Sequence, residues 1–181
     1  MTTTPLTKEN FIEAFWQLYQ EKPIEKISVR ELCEIAGYNR TTFYDHFTNI
    51  YDLLDQAVEP LLVPSKKLLQ QLLFSSEPLI PDEFPMLYLG FFQEKQDYLK
   101  LLLQNNHQFV LENKIRKIVA ETLKEYAHYN TTIDYLIGYQ LSGILGILKT
   151  WFEKDKNISE KELIQLLYEI SSNGVLALLK R

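Results

Sequence analysis

The chain has 181 residues, 46% of them hydrophobic and 24% charged, enough for a sizeable core in one compact unit or two small ones, and the reading is a soluble globular protein. Its formal net charge of −5 excludes a general affinity for phosphate polymers, so any contact with nucleic acid depends on where the few cations stand. A single cysteine, Cys33, excludes an intrachain disulfide and suits a reducing compartment, and no basic segment leads into an apolar run near the start, so a cytoplasmic location is expected.

In chain order, Thr7 caps a first helix that continues to about Glu21, with Phe11, Ile12, Phe15, Leu18 and Tyr19 at helical spacing and Pro23 just beyond. Ser28 and Glu31 form a capping box, so a second helix begins at Val29, with Leu32, Cys33, Ile35 and Ala36 as its apolar face. Gly37 can take the left-handed conformation that ends it, and Asn39 caps a third helix two residues later. There Phe43 and Phe47, four apart, face inward and leave Arg40, Thr41, Thr42, Asp45 and His46 on the outer side. Two helices joined by so short a turn make a helix-turn-helix over about residues 28–47.

That layout points to DNA. A recognition helix presents its N-terminal end to base edges in the major groove and needs short donors and acceptors there. Arg40 can pair with a guanine edge, the methyls of Thr41 and Thr42 can touch thymine, and Tyr44 and His46 can reach phosphate. Arg30 points to the same groove, and Asn39 completes the candidate DNA-binding set. Any one of these residues reads equally well as ordinary surface; the set spaced around Gly37 does not. The first fifty residues carry five cations (Lys8, Lys22, Lys26, Arg30, Arg40) against seven acids (Glu9, Glu13, Glu21, Glu25, Glu31, Glu34, Asp45), so the acids must face away from the phosphates.

Asn49 caps a fourth helix carrying Leu53, Leu54, Ala57 and Val58, with Pro60 and Pro64 kinking or dividing it on the way to Phe74. A turn-rich stretch from Ser75 to Pro85 follows. The expected division is a head, residues 1–50, and a helical body, residues 51–181. Body helices are expected at about Asp82–Glu94, Gln96–Leu103, Gln108–Ala127, Thr132–Glu153 and Ser159–Leu179, which makes the chain all-α with about nine helices.

The Thr132–Glu153 segment is apolar almost all round and must be covered on several sides. Its small residues Gly138, Ser142, Gly143 and Gly146 suit a homodimer seam, built with the last helix as a four-helix bundle across a twofold axis. A membrane span is the competing reading, opposed by Asp134, Gln140 and Lys149. The body also offers aromatic and polar side chains for an effector pocket: Tyr88, Phe91, Phe92, Tyr98, His107, Phe109, Tyr126, Tyr135 and Tyr139. At helical spacing such residues serve just as readily as core packing. Glu125 and His128 supply one copy of a carboxylate-histidine pair with no second copy. With no phosphate loop, zinc-like spacing or nucleophile elbow either, no metal, cofactor or catalytic residue is expected, and the chain does not read as an enzyme.

The run Gly37-Tyr-Asn-Arg-Thr-Thr-Phe-Tyr-Asp-His-Phe47, followed by Asp52-Leu53-Leu54, resembles the N-terminal signature of TetR-type bacterial transcription regulators over about the first quarter of the chain. Two positions depart from it: Ile50, where such proteins usually carry lysine, and Asp45, where arginine is frequent. The spacing of Gly143, Gly146 and Trp151 resembles the C-terminal domain of a Firmicutes-type branch of the same regulators, and there it implies a dimerising role. The resemblance implies a homodimeric repressor that binds a palindromic operator in double-stranded DNA and leaves it when a small effector binds. A co-regulator that docks a protein partner in place of a small effector is the alternative.

Overall fold

The computed structural model describes residues 5–63, 83–124 and 132–173, and in them it is all-helical, with eight α-helices and no strand. The chain divides into two compact units, Met1–Pro60 and Leu61–Arg181.

The first unit holds α1 (Pro5–Glu21), α2 (Val29–Ala36), α3 (Arg40–Tyr44) and α4 (Ile50–Ala57). Helix α1 packs against α2 and α4, and α2 against α3. Its apolar stripe carries Phe11, Phe15 and Tyr19, each at most 1% exposed, which meet Leu32 from α2, Phe43 and Phe47 from the α3 region, and Leu53 and Leu54 from α4. A short 3-10 turn, Ile24–Lys26, puts Ile24 into the same core. Helix α4 therefore lies in the head, past the limit expected near residue 50. Leu53, Leu54 and Ala57 are all buried, and the head would be left open without them.

Helix α4 stops at Ala57 and gives way to a 3-10 turn, Glu59–Leu62. Pro60 has no N–H to continue the α-helical ladder, which accounts for an end just before it. The expected continuation to Phe74 lies outside the described residues.

In the second unit follow α5 (Glu83–Gln104), α6 (Gln108–Lys124), α7 (Thr132–Glu153) and α8 (Glu160–Asn173). The two helices expected at 82–103 are one, because no breaker separates Glu94 from Gln96 and Pro85 falls in the first turn, where a missing N–H has no partner to lose. Helix α5 packs against α8, α7 and α6, and α7 also touches α6 and α8. Leu99, Leu102 and Leu103 meet Leu111 and Ile115 of α6, Leu141, Leu145, Leu148, Trp151 and Phe152 of α7, and Leu163 and Ile164 of α8 in one buried set.

The turn between α7 and α8 is tied to α5. Asp155 and Lys156 are left-handed, at φ 50° and 57°, and the Lys156 amide donates to the Trp151 carbonyl at 2.9 Å. Lys156 Nζ donates to the buried Gln96 at 2.7 Å, and Gln96 Nε2 in turn donates to Glu160 Oε1 at 2.6 Å. A bond from Gln93, then the one from Gln96, holds the Glu160 carboxyl below the usual carboxylate range, with the Lys156 charge adding to it. Ser159 and Glu162 complete the capping box expected at the start of α8.

Candidate nucleic-acid interface

The helix-turn-helix is fixed first by its caps. Ser28 Oγ accepts from the Glu31 amide at 3.3 Å, and the Glu31 carboxylate accepts from the Ser28 amide at 3.0 Å and its hydroxyl at 2.7 Å. Lys22, just past the end of α1, is bonded to the same carboxylate. The lysine contact, then the serine contacts, bring Glu31 from its ordinary 4.5 to about 2. One carboxylate thus ties α1 to the start of α2, a link nine residues apart that the capping pattern alone does not reveal.

At the other end of α2, Gly37 adopts φ 76°, and the amides of Gly37 and Tyr38 both donate to the Cys33 carbonyl at 3.0 Å. A side chain at this φ would be strained, so the turn into α3 depends on glycine. Asn39 Oδ1 then accepts from the Thr42 amide at 2.9 Å and from its hydroxyl at 3.2 Å.

Helix α3 is only five residues long and too short to stand unsupported. Its rigidity comes from below. Phe43 and Phe47 are 0% and 1% exposed, and Phe11 meets them edge-on at 5.5 and 6.0 Å between ring centres. Tyr38 stacks obliquely on Phe11 at 5.4 Å, and its hydroxyl accepts from Asn10 at 3.2 Å. The chain leaves α3 through Phe47, so the inward phenylalanine pair straddles the helix end.

This anchoring turns Asn39, Arg40, Thr41, Tyr44 and Asp45 outward, with Tyr44 58% exposed. Arg40 forms no ion pair among the described residues. Thr42 is half-buried, and its hydroxyl is engaged by the Asn39 cap. His46 is half-buried as well, and its Nε2 is shielded from solvent with no hydrogen-bond partner. Arg30 is exposed and bonded through Nε to Glu34 Oε1 at 2.8 Å, one turn along α2. Ile35, expected in the apolar face of α2, is 42% exposed; Leu32 and Cys33 fill the inward arc and leave it on the flank.

Beyond α3, Thr48 and Asn49 cap α4 reciprocally. Asn49 Oδ1 accepts from the Asp52 amide at 3.0 Å, while the Asp52 carboxylate accepts from the Thr48 amide at 2.7 Å and is lowered chiefly by that bond. The Asn49 cap is the one expected from the sequence, and the acid three residues later is the signal for its other half.

In the body, the residues expected to line a pocket differ in exposure. Phe92 is buried against Trp151 at 5.6 Å, Tyr98 is half-buried with the Lys95 ammonium 5.9 Å from its ring, and His107 is half-buried beside the exposed Phe109. Tyr135 and Tyr139 are 79% and 68% exposed. The side chains of Tyr88 and Phe91, and Tyr126, Glu125 and His128 altogether, lie outside the described residues. Among the described residues no cluster of acids, histidines and cysteine is arranged to hold a metal ion, and no helix is long and apolar enough to cross a membrane.

Of the four small residues on α7, Ser142, Gly143 and Gly146 are exposed, and a Cβ at Gly143 or Gly146 would meet nothing within 4 Å. Gly138 differs: a Cβ there would stand 3.2 Å from Nη2 of Arg116, so its space is used within the chain.

Comparison with known proteins places both units. Residues 11–57 match the family described as bacterial regulatory proteins, tetR family, and residues 82–173 match a transcriptional regulator C-terminal region. No protein of curated function matches the chain. Among solved structures, a TetR transcriptional regulator from Streptococcus agalactiae 2603V is similar at 22% identity and TM-score 0.56, over 91% of this chain and 92% of that one. A tetR-family transcriptional regulator from Streptomyces coelicolor is similar at 16% identity and TM-score 0.56, over 96% and 89%. The dihydroxyacetone kinase operon activator DhaS is similar at 20% identity and TM-score 0.51, over 98% of both chains.

Proposed function

The chain belongs to the TetR family of bacterial transcriptional regulators, and from that premise we propose that it is a non-enzymatic repressor that binds a palindromic operator as a homodimer and is released by an effector. The observation that carries the DNA-binding part is the α3 tip: Arg40, Thr41 and Tyr44 stand in solvent on a helix whose underside is locked by Phe43 and Phe47. A rigid tip reaches base edges without first being ordered, so its contacts are spent on recognition. Arg40 reads a base, Thr41 touches a base edge or methyl, and Tyr44 meets phosphate. Asn39 holds the helix start, and Arg30 exchanges Glu34 for a phosphate. The shielded Nε2 of His46 favours a packing role for this ring over the phosphate contact first expected.

The homodimer reading is supported by the uncovered face of α7. Glycine inside a helix costs roughly 0.5–1 kcal/mol relative to alanine, and none of the described residues uses the space at Gly143 or Gly146. A second copy uses it, and the exposed Tyr135 and Tyr139 of that same face supply the bulk to fill it. Two heads on a twofold axis then reach successive major grooves roughly 34–36 Å apart. The protein works in the cytoplasm, where its operator lies.

The test is selection of genomic DNA fragments on the purified protein, followed by gel-shift titration of the enriched site. One palindromic site bound by two chains is the expected outcome. Enrichment of no sequence over random DNA, with a stoichiometric partner protein recovered instead, would replace this reading by the co-regulator one. A reporter fused to the site decides between repression and activation.

A further inference from the structure

We propose that the guanidinium of Arg116 is the anchor for a small oxyanion, a carboxylate or a phosphate group, and that this is the chemical class of the effector; the inference rests on the regulator reading given above. Arg116 projects from α6 onto α7, where its Nη2, Nη1 and Cζ would lie 3.2, 3.5 and 3.8 Å from a Cβ at Gly138. All three atoms being that close, the planar group lies over the helix backbone, and the absent side chain makes room for it. Gly138 stands inside a 22-residue helix, where alanine would be the more stable choice. Neither of the next two glycines has such a neighbour: at Gly143 and Gly146 a Cβ meets nothing within 4 Å.

The residue is half-buried, yet its guanidinium forms no hydrogen bond or ion pair among the described residues. Glu112, one turn earlier on α6, does not pair with it, and the next acid on that helix, Glu121, is 4.0 Å from Lys117. The fork of donors lies over the α7 backbone, and no acceptor among the described residues pairs with it. Arg presents a flat, permanently charged fork that matches an oxyanion with two parallel hydrogen bonds. An anion seated on Arg116 bridges α6 and α7, and it shifts the regulator only through a different affinity for its two states.

The experiment uses the full chain. Thermal unfolding is followed in sodium succinate and in sodium phosphate, each against sodium chloride at equal ionic strength, for the wild type and for Arg116→Gln, Arg116→Lys and Gly138→Leu. One of the two anions is expected to raise the wild-type midpoint above chloride. The Arg116→Gln protein should bind that anion about tenfold or more weakly, as loss of a charge-assisted pair implies. Gly138→Leu keeps the charge and displaces the fork, so it too should lose the response. Arg116→Lys should retain part of a phosphate response and little of a succinate one, which separates the two sources. No stabilisation of the wild type by either anion overturns the proposal, as does a response in Arg116→Gln within about twofold of the wild type. DNA binding by Arg116→Gln in chloride shows that the variant folds and that the head works without the site. An anion response in a wild-type protein that retains no DNA leaves the site standing and removes the regulator reading instead.

Discussion

Replacing Phe43 by alanine tests whether the reading helix is held from below. Phe43 is fully buried, with ring centres of Phe11, Phe47 and Tyr44 at 5.5, 5.3 and 5.3 Å. Truncating a buried phenylalanine costs about 3–5 kcal/mol, lost transfer energy plus the cavity left behind. At roughly 0.05–0.15 kcal/mol per residue, a unit the size of Met1–Pro60 has about 3–9 kcal/mol in all, so the substitution removes a third or more of it. Two tryptophans make the effect readable, since Trp16 is buried in the head and Trp151 in the body. In a Trp151→Phe background, where Trp16 alone reports, urea unfolding at a slope of about 1–2 kcal/mol/M should move its midpoint down by about 1.5–5 M. The Trp16→Phe background, in which Trp151 reports, is expected to show a much smaller change. Operator binding should fall with the folded fraction of the head. A midpoint shift of the Trp16 signal below about 0.5 M would mean that Phe43 supports nothing, and that the exposure of Arg40 and Thr41 is no sign of a rigid tip.

Three further outcomes are expected. Arg40→Ala should cost about 1–3 kcal/mol at the selected operator and relax base preference at one position, whereas Tyr44→Phe should weaken all sequences alike; gel shifts with the operator and with random duplex separate the two, and equal losses from Arg40→Ala would remove its assignment to a base. Gly146→Leu, at a position exposed in the single chain, should yield monomers in sedimentation, and a persisting dimer would move the seam off this face of α7. Because the folded-state pKa of Glu31 is depressed from 4.5 to about 2, its contribution to stability is complete above pH 4.5 and is lost as pH falls toward 2. Glu31→Gln should therefore flatten the acid limb of the head's stability profile over that window; an unchanged profile would show that the Lys22 and Ser28 contacts carry no linkage.

Residues 28–49 declared their structure because capping, helix ending and the inward phenylalanine pair act over four residues or fewer. The Ser28 and Glu31 box, the left-handed Gly37, the Asn39 and Asn49 caps and the burial of Phe43 and Phe47 were all legible on that account. So was the all-helical class, which follows from hydrophobic period. The resemblance of the Gly37–Phe47 run supplied what period cannot, the family to which this turn belongs.

What only the folded chain decided involves partners far apart in sequence, whose meeting depends on how whole helices pack. The apolar face of α2 was read one residue too wide, since α1 determines which arc of it is covered and leaves Ile35 outside. The bond from Lys22 to Glu31, the shielding of His46 and the bond from Gln96 to Glu160 arise from the same cause. The small residues of α7 show it most plainly. In the sequence Gly138, Ser142, Gly143 and Gly146 form one uniform set, yet the approach of α6 gives the first of them to Arg116 and leaves the other three open to solvent. A residue's type fixes how much space it leaves, and only the neighbouring helix fixes what occupies that space.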